Sequence, residues 1–183
     1  MSKLIRAILL FGVFLVWFAA SASPAFAANS PSIAVMLLGS PEYLAADYYQ
    51  ITRETLAKKF PAETVTLVIG EHPQQLFDRF SDKHSLIPGE IPDEKTLQDF
   101  AWQHSFDEVI FFLLTAPNIR SNDISLQWER LEATVTARGL RIESRTRKIT
   151  ADAKTAKTVR MYHRRQAKYA AFRQCLEQLR DQL

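Results

Sequence analysis

A single cysteine, Cys175, stands in the 183 residues, so an internal disulfide is excluded. Its plainest reading is a small buried apolar side chain, with a dimer-forming or reactive thiol as the alternative. The sequence also lacks a Gly-rich phosphate loop, paired cysteines at metal spacing, a His-Glu-x-x-His run and a Gly-x-Ser-x-Gly elbow. The four histidines, His72, His84, His104 and His163, never fall at the i, i+4 spacing that places two ligands on one helix face. No catalytic, metal-ligating or cofactor-binding residue is therefore assigned. The acidic pairs Asp93-Glu94 and Asp107-Glu108 are read as helix-end electrostatics and strand-edge solvation, because no base, nucleophile or orienting partner accompanies them.

What the sequence does have begins with a greasy leader. Lys3 and Arg6 precede an uninterrupted apolar stretch from Ala7 to Ala20, Ser21 to Pro24 break it, and Ala25-Phe26-Ala27 supplies a small-x-small cleavage pattern. Fourteen apolar residues fall short of the ~20 needed to cross a bilayer core. The expectation is a signal peptide over residues 1–27, removed after Ala27, and a single domain over 28–183 in the periplasm or outside the cell. The alternative is an uncleaved anchor holding that domain at the membrane. With Cys175 far from the leader, no thiol is placed to carry a lipid there.

The remaining charges nearly cancel but are segregated. Residues 28–137 hold 8 basic and 16 acidic side chains, and residues 138–183 hold 13 basic and 4 acidic, a net of −8 against +9. Either the halves complement each other within one fold, or the basic end faces an anionic partner.

The run Ser32 to Leu38, closed by Gly39-Ser40-Pro41, predicts a strand covered on both faces. Helical spacing follows from Glu42 to Phe60 and stops at Pro61, and Thr64 to Gly70 predicts a second strand parallel to the first. A short helix over Pro73 to Phe80, another from about Asp93 with Leu97, Phe100, Ala101 and His104 on one side, and a central strand Val109 to Leu114 complete a β-α-β-α-β start. Alternation from Leu131 to Arg138 predicts a half-exposed antiparallel strand. Its apolar phase shifts after Gly139, which a β-bulge there would explain, with the turn near Glu143 to Thr146 and a short strand through Ile149; the competing assignment is a tight hairpin at Arg138-Gly139. From about Ala153 to Leu183 there is no proline or glycine, which predicts one long helix with Val159, Tyr162, Tyr169, Phe172, Leu176 and Leu179 as its stripe. The expected class is α/β (α+β): a mixed sheet with an antiparallel hairpin and a long C-terminal helix.

The basic part of that last helix is the most distinctive surface feature. Arg160, Arg164, Arg165 and Lys168 are candidate contacts for an anionic partner, either a membrane surface, a cell-wall polymer or an acidic protein patch. The alternative is a solvated helix face.

In its order of elements the chain resembles the group of bacterial envelope domains that includes the amino-terminal domain of TolB, the penicillin-binding-protein activator LpoB and the curli-secretion lipoprotein CsgG. The resemblance runs through Ile33 to Leu37, the helix ending near Phe60, Thr64 to Ile69, Phe106 to Ile110, and Glu132 to Lys148. It implies a two- or three-layer α/β domain that binds envelope proteins or assembles with copies of itself, without catalysis. The sequence departs from the lipoprotein members in lacking the lipid-bearing cysteine. The functional expectation is a non-enzymatic envelope binding or assembly domain, with no cofactor and no nucleic-acid partner. Two alternatives stay open: a hydrolase without a recognisable motif, and a peripheral binder of anionic membrane through the basic helix.

Overall fold

In the computed structural model, residues 30–121 and 131–183 are described; the expected signal peptide and its expected cleavage position near Ala27 lie outside them. Strand β1 (Ser32–Gly39) has its six inner residues buried, as a run of unbroken apolar side chains requires when helices cover both faces of a sheet. It pairs in parallel with β2 (Thr66–Ile69) on one side and β3 (Glu108–Leu114) on the other. Strand β5 (Leu131–Glu143) runs antiparallel to β3, and β6 (Lys148–Met161) antiparallel to β5. The short β4 (Asn118–Ser121) pairs with the first residues of β5, ahead of the stretch that meets β3. Among the described residues this makes one six-stranded mixed sheet within the unit Pro31–Leu183.

Side-chain alternation on these strands builds two cores. On one face Val35 and Leu37, Ile110 and Phe112, and Val135 and Ala137 meet α1 (Ala46–Ala57) and the carboxy-terminal α4 (Arg164–Gln182). On the other, Met36 and Leu38, Phe111 and Leu113, and Leu140 and Ile142 meet α2 (Glu71–Lys83) and α3 (Glu94–Gln103). The result is a three-layer α/β/α arrangement. Helix α3 starts where Asp93 accepts the Thr96 amide at 2.7 Å, an N-cap, and buries Leu97, Phe100 and Ala101 at helical spacing. Helix α2 tolerates Pro73 because the amide lost lies in the first turn, where no intrahelical acceptor exists.

Two sequence expectations are corrected. The region from Ala153 to Met161 is strand, and the carboxy-terminal helix begins at Arg164. Its alanines and lysines favour helix by only a few tenths of a kcal/mol each, whereas a helix here would leave the edge of β5 away from β3 and β4 without its ladder of hydrogen bonds. Thr155, Val159 and Met161 therefore turn toward the helical layer while Lys154, Thr158 and Arg160 are exposed on the other face. Nor is there a bulge at Gly139. The register of β5 against β3 is unbroken from Ala137 to Glu143, and the irregularity lies against β6, between Arg141 and Ile142. The apparent phase shift arises because Val135 and Ala137 fill one core and Leu140 and Ile142 the other.

The charge segregation resolves within the fold. Arg138 pairs with Glu94, Arg141 with Glu108, Arg147 with Asp99, Arg160 with Glu132, Arg165 with Asp47, Lys168 with Glu42 and Arg173 with Glu54, so the basic end of the chain lies against the acidic remainder.

Asp107 clamps the starts of β1 and β3, accepting the Ser32 amide at 2.8 Å and the Ser32 hydroxyl at 3.1 Å. These hydrogen bonds hold its carboxyl below the usual carboxylate range. A depressed folded-state pKa contributes stability that is fully present above pH ~4 and lost as the pH falls through the folded value. Urea titrations between pH 2 and 7 should show the Asp107→Asn protein less stable at neutral pH, with a shallower acid limb than the unaltered protein. Parallel acid limbs would show that the clamp does not titrate.

Cys175 is fully buried with its thiol donating to the Val135 carbonyl at 3.2 Å, and burial pushes its pKa up to about 11. The thiolate is the nucleophile, so iodoacetamide at pH 8 should leave the folded chain unmodified and label it only in denaturant. Rapid labelling of native protein, read by intact mass, would contradict this packing.

Candidate functional site: a groove at the ends of the parallel strands

The chain passes from β1 through α1 to β2, then returns through α2 and α3 on the opposite face to reach β3 on the far side of β1. Such a reversal of direction opens a crevice outside the carboxyl end of the central strand. A groove of about 440 Å³ lies there. Leu37, Leu38 and Gly39 of β1 form its floor, Gln74, Phe77 and Asp78 of α2 one wall, and the connection Leu86–Pro92 another.

Local sequence explains the opening. Gly39 takes φ +108, and a β-carbon there would sit 2.1 Å from the Leu114 carbonyl oxygen, so only glycine lets β1 leave the sheet so close to β3. The Ser40 amide then donates to that carbonyl at 3.2 Å, and Pro41 starts a single 3-10 turn over Pro41–Leu44. Tyr43 fixes this turn from beneath: its ring stacks on Phe172 at 5.4 Å, and its hydroxyl donates to the Thr115 carbonyl at 3.0 Å. Burial pushes the Tyr43 phenol well above its ordinary pKa, so it acts as an uncharged donor.

The groove is apolar in its floor and acidic at its lip. Leu44 is 40% exposed and Ile87 67% exposed on its margin. An adjoining recess of about 480 Å³ shares Pro92 and adds Ile91, itself 40% exposed, with Leu113, Arg138 and Leu140 beyond. Asp78, Asp82 and Glu90 line the main groove, and no lysine, arginine or histidine does. Asp78 accepts from Gln74 Nε2 at 3.2 Å, while Gln74 Oε1 is a buried acceptor with no hydrogen-bond partner in the protein.

The four cations singled out from sequence do not form one helical face. Arg160 lies on β6, 2.8 Å from the Glu132 carboxylate. Arg164, Arg165 and Lys168 occupy the first turns of α4, where cations oppose the helix dipole. Asp47 offsets this for Arg165, and Tyr169 donates to the same carboxylate, holding the Asp47 pKa down; Glu42 does so for Lys168. Arg164 has no ion-pair partner among the described residues. A recess of about 650 Å³ between α1 and α4 holds Asp47, Glu54, Arg165 and Arg173, which pair with one another across it.

Sequence reasoning did not find the groove. The available signal was a pair of isoleucines, Ile87 and Ile91, set among Pro88, Gly89 and Pro92 in the connection between α2 and α3. Among the described residues, no three metal-ligating side chains converge, and no helix is long and apolar enough to cross a membrane.

No protein-family model matches the sequence, and no curated protein matches it. Solved structures do show similarity. Lipoprotein GNA1162 from Neisseria meningitidis is 16% identical with a TM-score of 0.39, over 73% of this chain and 85% of that one. The C-terminal domain of LpoB from Escherichia coli is 17% identical with a TM-score of 0.36, over 73% of this chain and 87% of that one. Hypothetical protein CT253 from Chlamydia trachomatis is 8% identical with a TM-score of 0.42, over 84% of this chain and 98% of that one. An LpoB domain thus stands among the similar structures, as the order of elements implied. At such identities and TM-scores the functional reading comes from the chain's own residues.

Proposed function

We propose that this protein is exported and works in the bacterial cell envelope as a binding or assembly domain, without catalysing a reaction. The leader supports the location: Lys3 and Arg6, the apolar stretch Ala7 to Ala20 and Ala25-Phe26-Ala27 have the charge, length and small residues of a cleaved signal. The observation that carries the binding role is the exposure of Leu44 and Ile87 at the groove and of Ile91 in the recess beside it. Apolar side chains grouped at a cleft mark an interaction site, whereas scattered ones do not.

Cell fractionation of the full chain with intact-mass measurement tests the reading. The expected species begins at Ala28 and is recovered outside the cytoplasm. Full-length chain confined to the cytosol would overturn it.

A further inference from the structure

Most carboxylates that meet the basic end of the chain are paired there; those at the groove are not, and neither, among the described residues, are Glu63 and Glu71 outside its lining. Glu42, Asp47, Glu54, Glu94, Asp99 and Glu108 each face an arginine or lysine of the same chain. Asp78, Asp82 and Glu90 have no cationic partner among the described residues, and they stand beside the exposed Leu44 and Ile87. Arg79 and Lys83 of α2 are not part of this lining, and the cations Lys95 and Arg138 line only the adjoining recess, where Arg138 is paired with Glu94.

We propose that this groove receives an extended segment of a partner protein that presents an aliphatic or aromatic anchor beside lysine or arginine. The inference rests on the binding role proposed above and names the partner's chemistry. The apolar floor of Leu38 and Phe77 takes the anchor, removing it and Ile87 from water together. The three carboxylates answer the flanking cations, and the same carboxylates repel fatty acids, phosphates and acidic peptides. The shape selects a chain over a compact molecule. From the main groove the path runs past Pro92 and Ile91 into the second recess, an elongated track with successive places for side chains.

Fluorescence anisotropy with three labelled peptides tests the proposal: repeating Leu-Lys, repeating Leu-Glu and repeating Ser-Lys. The Leu-Lys peptide is expected to bind, with the other two at least about tenfold weaker. Added salt weakens the Leu-Lys complex, because its charges meet at an exposed lip. Ile87→Ser, and separately the pair Asp82→Asn with Glu90→Gln, each lower affinity about tenfold. All three positions are exposed, so thermal melts should be unchanged. Trp102→Ser, which removes a 54% exposed aromatic outside the groove lining, leaves affinity as it was. Equal affinity for all three peptides, no binding of Leu-Lys, or indifference to the groove substitutions would overturn the proposal. Such a failure with protein correctly processed and exported removes the groove partner alone; failure of export removes the envelope role itself.

Discussion

Replacing Gly39 by valine is expected to destabilise the protein by about 4 kcal/mol, a large part of the ~5–15 kcal/mol that holds a domain folded. Two effects add. A side chain at φ +108 is strained wherever it points, and here the first carbon lands 2.1 Å from the Leu114 carbonyl oxygen, well inside contact distance. That oxygen belongs to β3 backbone and cannot swing aside, so β1 and β3 must separate at their carboxyl ends, where the groove opens. Gly70 supplies the control. It also has positive φ, +119, but nothing lies within 4 Å of its would-be β-carbon. Gly70→Ala should therefore cost only the backbone strain, about 1–2 kcal/mol. Urea denaturation of the two variants measures the difference; equal midpoints would mean that β1 does not approach Leu114 this closely.

Truncating Phe100 to alanine should cost about 3–5 kcal/mol. Its ring is fully buried on the α2–α3 side of the sheet, with ring centroids 5.1 Å from Phe77, 5.4 Å from Phe80 and 5.9 Å from Phe111. Edge-to-face geometry adds to the area buried, and a cavity among three rings held by α2 and β3 closes only in part. Phe77 also lines the groove. A thermal melt should fall sharply, and affinity for the Leu-Lys peptide should drop with it as the α2 wall loosens. A loss below 1 kcal/mol would mean that α3 is not packed as described.

How far the sequence reaches is clearest at particular elements. Ser32 to Gly39 and Glu108 to Leu114 were legible because an unbroken apolar run is stable only where both sheet faces are covered. Asp93 as a helix start was legible because capping is local, set by a side chain and an amide three residues on. Met161 and its neighbours were misread because alanine and lysine report a backbone preference smaller than the cost of an unpaired strand. The groove escaped entirely. Leu37, Phe77 and Ile87 are distant in sequence, and nothing local marks that β1, α2 and the following connection leave a cleft between them.

Composition and periodicity, by themselves, determined the α/β class, the parallel start and the antiparallel hairpin, since each follows from neighbours within a few residues. Tertiary structure alone decided that β6 runs on through Ala153 to Met161, that the acidic and basic halves neutralise each other, and that Asp78, Asp82 and Glu90 are left facing an apolar groove without a cation. Pairing energies act between residues far apart along the chain, and only the folded arrangement says which of them meet.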